Sequence, residues 1–147
     1  MPDIPERLRR RGRPVDDTFE AEEQLYRACR REHVVETRLL PAAISFRDWS
    51  LNRGKYSEPE DVLIGREGFG IAKFKVGDVP TSLCSATGNI FDFRVEHAPE
   101  EDNYSHSRII VGRDGTFRHN LDVPSQVKKS FRQILSDKLT IIQQPEV

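Results

Sequence analysis

Cysteine is scarce in this chain. Cys29 and Cys84 are the only two, they lie far apart, and they form no C-x-x-C pair. That argues against a disulfide framework or a cysteine-based zinc site, and predicts reduced thiols in a reducing, cytoplasmic compartment. Long apolar runs are lacking too. None approaches the roughly 20 residues needed to cross a bilayer, so no membrane partner is expected. The opening Met1-Pro2-Asp3-Ile4-Pro5-Glu6 has no apolar core of a secretory signal. There is almost no net charge: 23 Lys and Arg against 24 Asp and Glu leave −1. No whole-molecule field therefore draws in nucleic acid or membrane, and any such binding must rest on a local patch.

Complete catalytic and cofactor motifs are also absent. There is no H-E-x-x-H, no nucleophile elbow and no kinase signature. Gly65-Arg66-Glu67-Gly68-Phe69-Gly70 lacks the full G-x-G-x-x-G pattern, and a strand-like segment follows it where a dinucleotide site needs a helix. It reads as a turn. No cofactor is implied, and no internal repeat is found.

What remains is enough for one domain. The 147 residues are 36% apolar and 32% charged, with eight Phe, three Tyr and one Trp to build a core. Residues 1–16 read as a flexible basic tail, because three prolines and Arg7, Arg9, Arg10, Arg11 and Arg13 leave little to bury. Residues 17–147 read as a single α+β domain. Asp17 and Glu20 resemble a capping box, which predicts an N-terminal helix to about Arg31 with Glu23 and Arg27 paired four apart.

Alternation predicts strands within residues 33–40, at Asp61–Ile64, Ile71–Val76 and Ile90–His97, and then at Ser107–Gly112 and Thr116–Leu121. Asp114-Gly115 is the hairpin signal between the last two. Pro124 opens a helix on which Val127, Phe131, Ile134, Leu135, Leu139 and Ile142 recur at helical spacing, with Pro145 as its stop. The expected fold class is α+β: a small antiparallel sheet covered by a C-terminal amphipathic helix, with an N-terminal helix and a basic tail.

Two polar loops are the candidates for function. His97-Ala98-Pro99-Glu100-Glu101-Asp102-Asn103-Tyr104-Ser105-His106 joins two strands. Pairing of those strands would let His97 and His106 approach each other as general acid and base, with Asp102, Asn103 and Ser105 contributing polar contacts. The same histidines with Asp102 could ligate a metal, but His-x8-His is no metal spacing and neither cysteine joins it, so no metal is assigned. Asn52-Arg53-Gly54-Lys55-Tyr56-Ser57 sets cations and hydroxyls around a glycine. Arg53, Lys55 and Tyr56 would grip a phosphate or carboxylate, and Gly54 would allow close backbone approach.

The bland alternative is that both loops are solvated connections, with His97 capping a strand end. Trp49 is either core or a stacking platform, and core is the ordinary role for a lone Trp. Two functions follow. One is a domain that binds an anionic, phosphate-bearing ligand such as a nucleotide or nucleic acid, with or without histidine acid/base chemistry. The other is a non-catalytic accessory or scaffold subunit that meets a protein partner through its basic tail and helices.

Overall fold

A computed structural model describes residues 3–45, 49–118 and 121–146. In chain order the strands are β1 (Gln24–Cys29), β2 (Val34–Val35), β3 (Arg38–Leu39), β4 (Leu51–Arg53), β5 (Gly70–Lys75), β6 (Ser82–Cys84), β7 (Ile90–His97), β8 (His106–Arg113) and β9 (Thr116–Phe117). The helix α1 (Ser125–Lys138) and β10 (Thr140–Gln143) follow. One large antiparallel sheet runs β10-β5-β1-β4-β8-β7-β6, with β9 also on β8. β2 and β3 form a separate hairpin. α1 is the one α-helix among the described residues, and no helix there is long and apolar enough to cross a membrane.

Period-two patterning builds the longest ladder. Phe91, Phe93, Val95 and His97 of β7 are buried, and residues 90, 92, 94 and 96 between them are exposed or half-buried. The register sets Phe93 against Val111 and Val95 against Ile109, so both strands feed one core. Phe131 of α1 meets Phe93 at 4.6 Å between ring centroids. The Asp114-Gly115 turn joins β8 to β9, with both residues at positive φ (51° and 84°), as a tight hairpin requires. Residues 119 and 120 of the expected return strand lie outside the described residues.

Four expectations need correction. Residues 24–29 are a strand. β1 pairs with β4 on one side and β5 on the other, and two hydrogen-bonded neighbours outweigh the local helix signals. The expected capping box is unused: Asp17 accepts from the His97 backbone N–H, and Glu23 reaches Arg53 instead of Arg27. The expected strand at Asp61–Ile64 is instead part of a 3₁₀ turn, Pro59–Leu63, opened by Pro59, in which Asp61 accepts from the Glu58 N–H. α1 ends at Lys138, well before Pro145. The β-branched Thr140 and Ile141 leave the helix and pair with β5, and Ile142 is left exposed at the register shift before Gln143.

The basic segment is the fourth. Leu8 is buried, its carbonyl accepts from the Tyr104 N–H, Arg7 pairs with Asp61, and the Arg10 N–H donates to the Glu101 carbonyl. It lies as a strap along the sheet, because its apolar Leu8 and its backbone groups find partners that composition cannot reveal.

Gly70 shows how tightly the β5–β10 edge is built. A Cβ there would lie 2.7 Å from the Pro145 ring and would also strike the Gln143 carbonyl. Gly70→Ala is expected to cost about 1–3 kcal/mol through overpacking, read as a lower urea midpoint at an unchanged slope.

Candidate functional site

β4 carries Arg53 into the interior. Its register partner on β1 is Leu25, a core residue, and Arg53 is itself 0% exposed. A buried guanidinium must have its fork satisfied. Nε and Nη2 each donate to a Glu23 carboxylate oxygen at 2.8 Å, Nη2 donates to the Thr18 carbonyl at 2.8 Å, and Nη1 donates to the Asp16 carbonyl. The Phe19 ring lies 3.9 Å from its Cζ. Four of its five N–H groups are taken by the chain itself, and Nη1 also lies 3.7 Å from the Asp16 carboxylate.

Asp16 gathers the rest of this loop. Its carboxylate accepts from the Tyr56 hydroxyl, from Lys55 Nζ at 2.9 Å and from the Thr18 N–H at 3.0 Å. These bonds, Tyr56's first, hold the carboxyl well below the usual carboxylate range. Gly54 makes its close approach to the chain too: its N–H donates to the Gln24 carbonyl at 2.7 Å.

His97 joins the same network. It is 2% exposed. The Asp16 N–H donates to Nδ1 at 2.8 Å, so Nε2 carries the proton and donates to the Tyr104 carbonyl at 2.6 Å. Both ring nitrogens are occupied, and burial pushes the imidazole below its ordinary 6.5. Tyr56 stacks on the ring at 5.8 Å and Tyr104 meets it edge-on at 4.9 Å.

The structure therefore brings Arg53, Lys55, Tyr56 and His97 together around Asp16. It does not bring His106 to them. His97 pairs with Ser107, so the neighbouring His106 lies on the opposite face of the sheet, where its Nδ1 donates to the Ala98 carbonyl at 2.8 Å. The single cleft expected from His97, His106 and Arg53 is corrected by that one-residue parity. Ser105 is buried and donates to Asn103, and Asn103 in turn donates to Asn52. Asp102 is exposed at the rim of a cavity of about 170 Å³. Among the described residues no group of three or more metal-ligating side chains is clustered.

Sequence reasoning missed a second region. A cavity of about 290 Å³ opens where β1 runs past the end of β4, and Arg27, Arg30, His33, Trp49, Arg66 and Phe69 line it. Among the described residues no Asp or Glu lines it. Arg27 Nη1 donates to the Ser50 carbonyl at 2.9 Å and Arg66 Nη1 to the Val62 carbonyl at 3.0 Å. Among the described residues neither is paired with a carboxylate. Burial, and then the nearby Arg66 and Arg30, push the Arg27 guanidinium below its ordinary value. The signal was there once β1 is read as a strand: Leu25, Arg27 and Cys29 share a face, which puts a cation at a core position.

The network predicts acid lability. Folding lowers the affinity of His97 for a proton, so its contribution is complete above pH 6.5 and is lost as pH falls through the lower folded value. Asp16 behaves alike from pH 3.8 downward. Urea midpoints measured from pH 8 to 4 should fall with acidity, and His97→Gln should flatten the part just below pH 6.5. Arg53→Met, which leaves Glu23 buried without its partner, should cost about 3–5 kcal/mol in the same assay.

Compared with protein-family models, with curated proteins and with solved structures, the chain matches none.

Proposed function

We propose that the protein is a non-catalytic domain that binds an anionic, phosphate-bearing ligand, seated at Arg27 and Arg66 and not on the 52–57 and 97–106 loops. The cavity of three arginines and a histidine, with no lining carboxylate among the described residues, carries this reading. Guanidinium forks suit phosphate oxygens, and an anion between Arg27 and Arg66 relieves their mutual repulsion as it binds. Acid/base chemistry is left out because both nitrogens of His97 are engaged inside the protein. The helix α1 belongs to the reading as the cover of the core face, through Phe131 on Phe93. Cytoplasmic placement belongs to it as well, since Cys29 and Cys84 are both free thiols.

An accessory role in a larger assembly is the second reading. Val35 on the β2–β3 hairpin and Ile142 on the edge strand β10 are 54% and 43% exposed. The hairpin and β10 are tied together by the Ile141 N–H on the Thr37 carbonyl. An exposed edge with apolar side chains is a place where another chain can pair.

Calorimetric titration with inorganic pyrophosphate tests the first reading. Saturable one-to-one binding that weakens with added salt is expected. Arg27→Ala and Arg66→Ala should each weaken it about tenfold or more, the size of one charge-assisted hydrogen bond. Affinity unchanged in both variants, or no saturation at low salt, would remove the cavity from consideration.

A further inference from the structure

The sheet ends at β6, and that edge is undefended. In a chain that is 32% charged, residues 79–91, between Asp78 and Asp92, carry no charged side chain. They supply β6, the turn after it and the start of β7. Ser82 and Cys84 are exposed, and Ile90, across from Cys84 on β7, is 47% exposed. Leu83 packs on the core and anchors the strand. Proteins commonly guard a free edge with a lysine, a proline or an inward-pointing charge. Pro80 precedes this strand, and Ser82-Leu83-Cys84 itself holds none of these. The other end of the sheet differs, because β10 is tied to the β2–β3 hairpin through the Ile141 N–H on the Thr37 carbonyl.

The register fixes what the edge offers. Thr81 accepts from the Phe93 N–H at 2.9 Å, and the Ser85 N–H donates to the Asn89 carbonyl at 2.8 Å. Leu83, opposite Phe91, lies midway between those two bonded pairs. Antiparallel alternation therefore bonds Leu83 to β7 and turns the N–H and C=O of Ser82 and Cys84 outward. Among the described residues no other segment bonds to these four groups. We propose that β6 is the seat of a reversible homodimer, in which two copies pair their β6 strands antiparallel across a two-fold axis at Leu83 and join their sheets. In that register Ser82 exchanges both backbone hydrogen bonds with Cys84 of the second copy, and all four outward groups are used. An axis at Ser82 would set Cys84 against Pro80, which has no N–H, and an axis at Cys84 would set Ser82 against Ala86 in the turn. Charge selects a second copy as the occupant. A two-fold contact sets an edge against itself, so every charge on it meets its like, and only an edge without charge escapes that repulsion. Edges of three residues bury less than the roughly 1,200 Å² of stable complexes, which makes the dimer weak and concentration-dependent. The proposal does not rest on the arginine cavity.

Sedimentation equilibrium of the full chain from about 1 µM to about 1 mM tests it. The mass should rise with concentration from 16.9 kDa toward twice that value. Cys84 is the exposed thiol and Cys29 the buried one, so a thiol cross-linker reports the contact. Across the proposed axis the two Cys84 lie diagonally, about 7–8 Å apart, beyond the usual reach of a disulfide but within that of a short bismaleimide, which should trap a dimer. Ser82→Lys and Ser82→Glu each set like charges across the axis and should each weaken association about fivefold or more. Ser82 is exposed, so the urea midpoint should stay in place. Mixing the two variants in equal amounts should restore both the dimer mass and the cross-link. A single 16.9 kDa species at every concentration would overturn the proposal. So would a dimer that both variants leave unchanged, which places the contact elsewhere, or loss in both variants with no recovery on mixing.

Discussion

Arg53 is a full charge at zero exposure in the middle of a sheet, and its neighbours are arranged to satisfy it. Glu23 supplies a bidentate carboxylate from the start of β1, while Asp16 and Thr18 turn their carbonyls inward. The route of residues 16–23 across β4 follows from that need. Two charges taken out of water gain little net stability over an apolar pair of the same volume, but once they are buried neither can be removed alone. The same constraint seats Asp16, whose carboxylate then gathers Tyr56 and Lys55 and whose N–H reaches His97.

A consequence is that the most reactive-looking residues are spoken for. Histidine, tyrosine, lysine and arginine converge within one network, an arrangement that resembles a catalytic centre when read as a residue inventory. Its hydrogen bonds are turned inward: both His97 nitrogens and four of the five Arg53 N–H groups end on the chain's own groups. The arginines left without carboxylate partners among the described residues lie elsewhere, at the gap where β4 stops short and β1 continues toward Cys29. There the sheet leaves a cavity, and burial raises the Cys29 thiol to about 11, which keeps it protonated and inert beside Arg27.

The basic strap shows how local and non-local terms divide. Its arginines find unrelated partners: Arg7 meets Asp61 of a 3₁₀ turn, and Arg13 lies 3.8 Å over the Tyr104 ring. Each contact is modest. With Leu8 beneath them and backbone bonds to Glu101 and Tyr104, they order a segment whose composition alone suggests none.

Where hydrophobic alternation runs long, the sequence by itself determined the element. β7 has the bounds its Phe-x-Phe-x-Val-x-His pattern predicts, β8 follows it, and Asp114-Gly115 turns the chain because only such residues accept positive φ at low cost. α1 was legible from its apolar spacing up to Lys138. The mixed α and β character was legible as well. Only tertiary structure decided β1, β10 and the site. Residues 24–29 carry helix-compatible spacing, and it took strands on both sides to make them β. Residues 139–142 fit either period, and pairing with β5 chose. Which of the candidate polar residues meet, and which cation is left facing a cavity, depends on strand register. A shift of one residue turns a side chain to the other face of the sheet, and nothing local to residues 97, 106 or 27 encodes their partners.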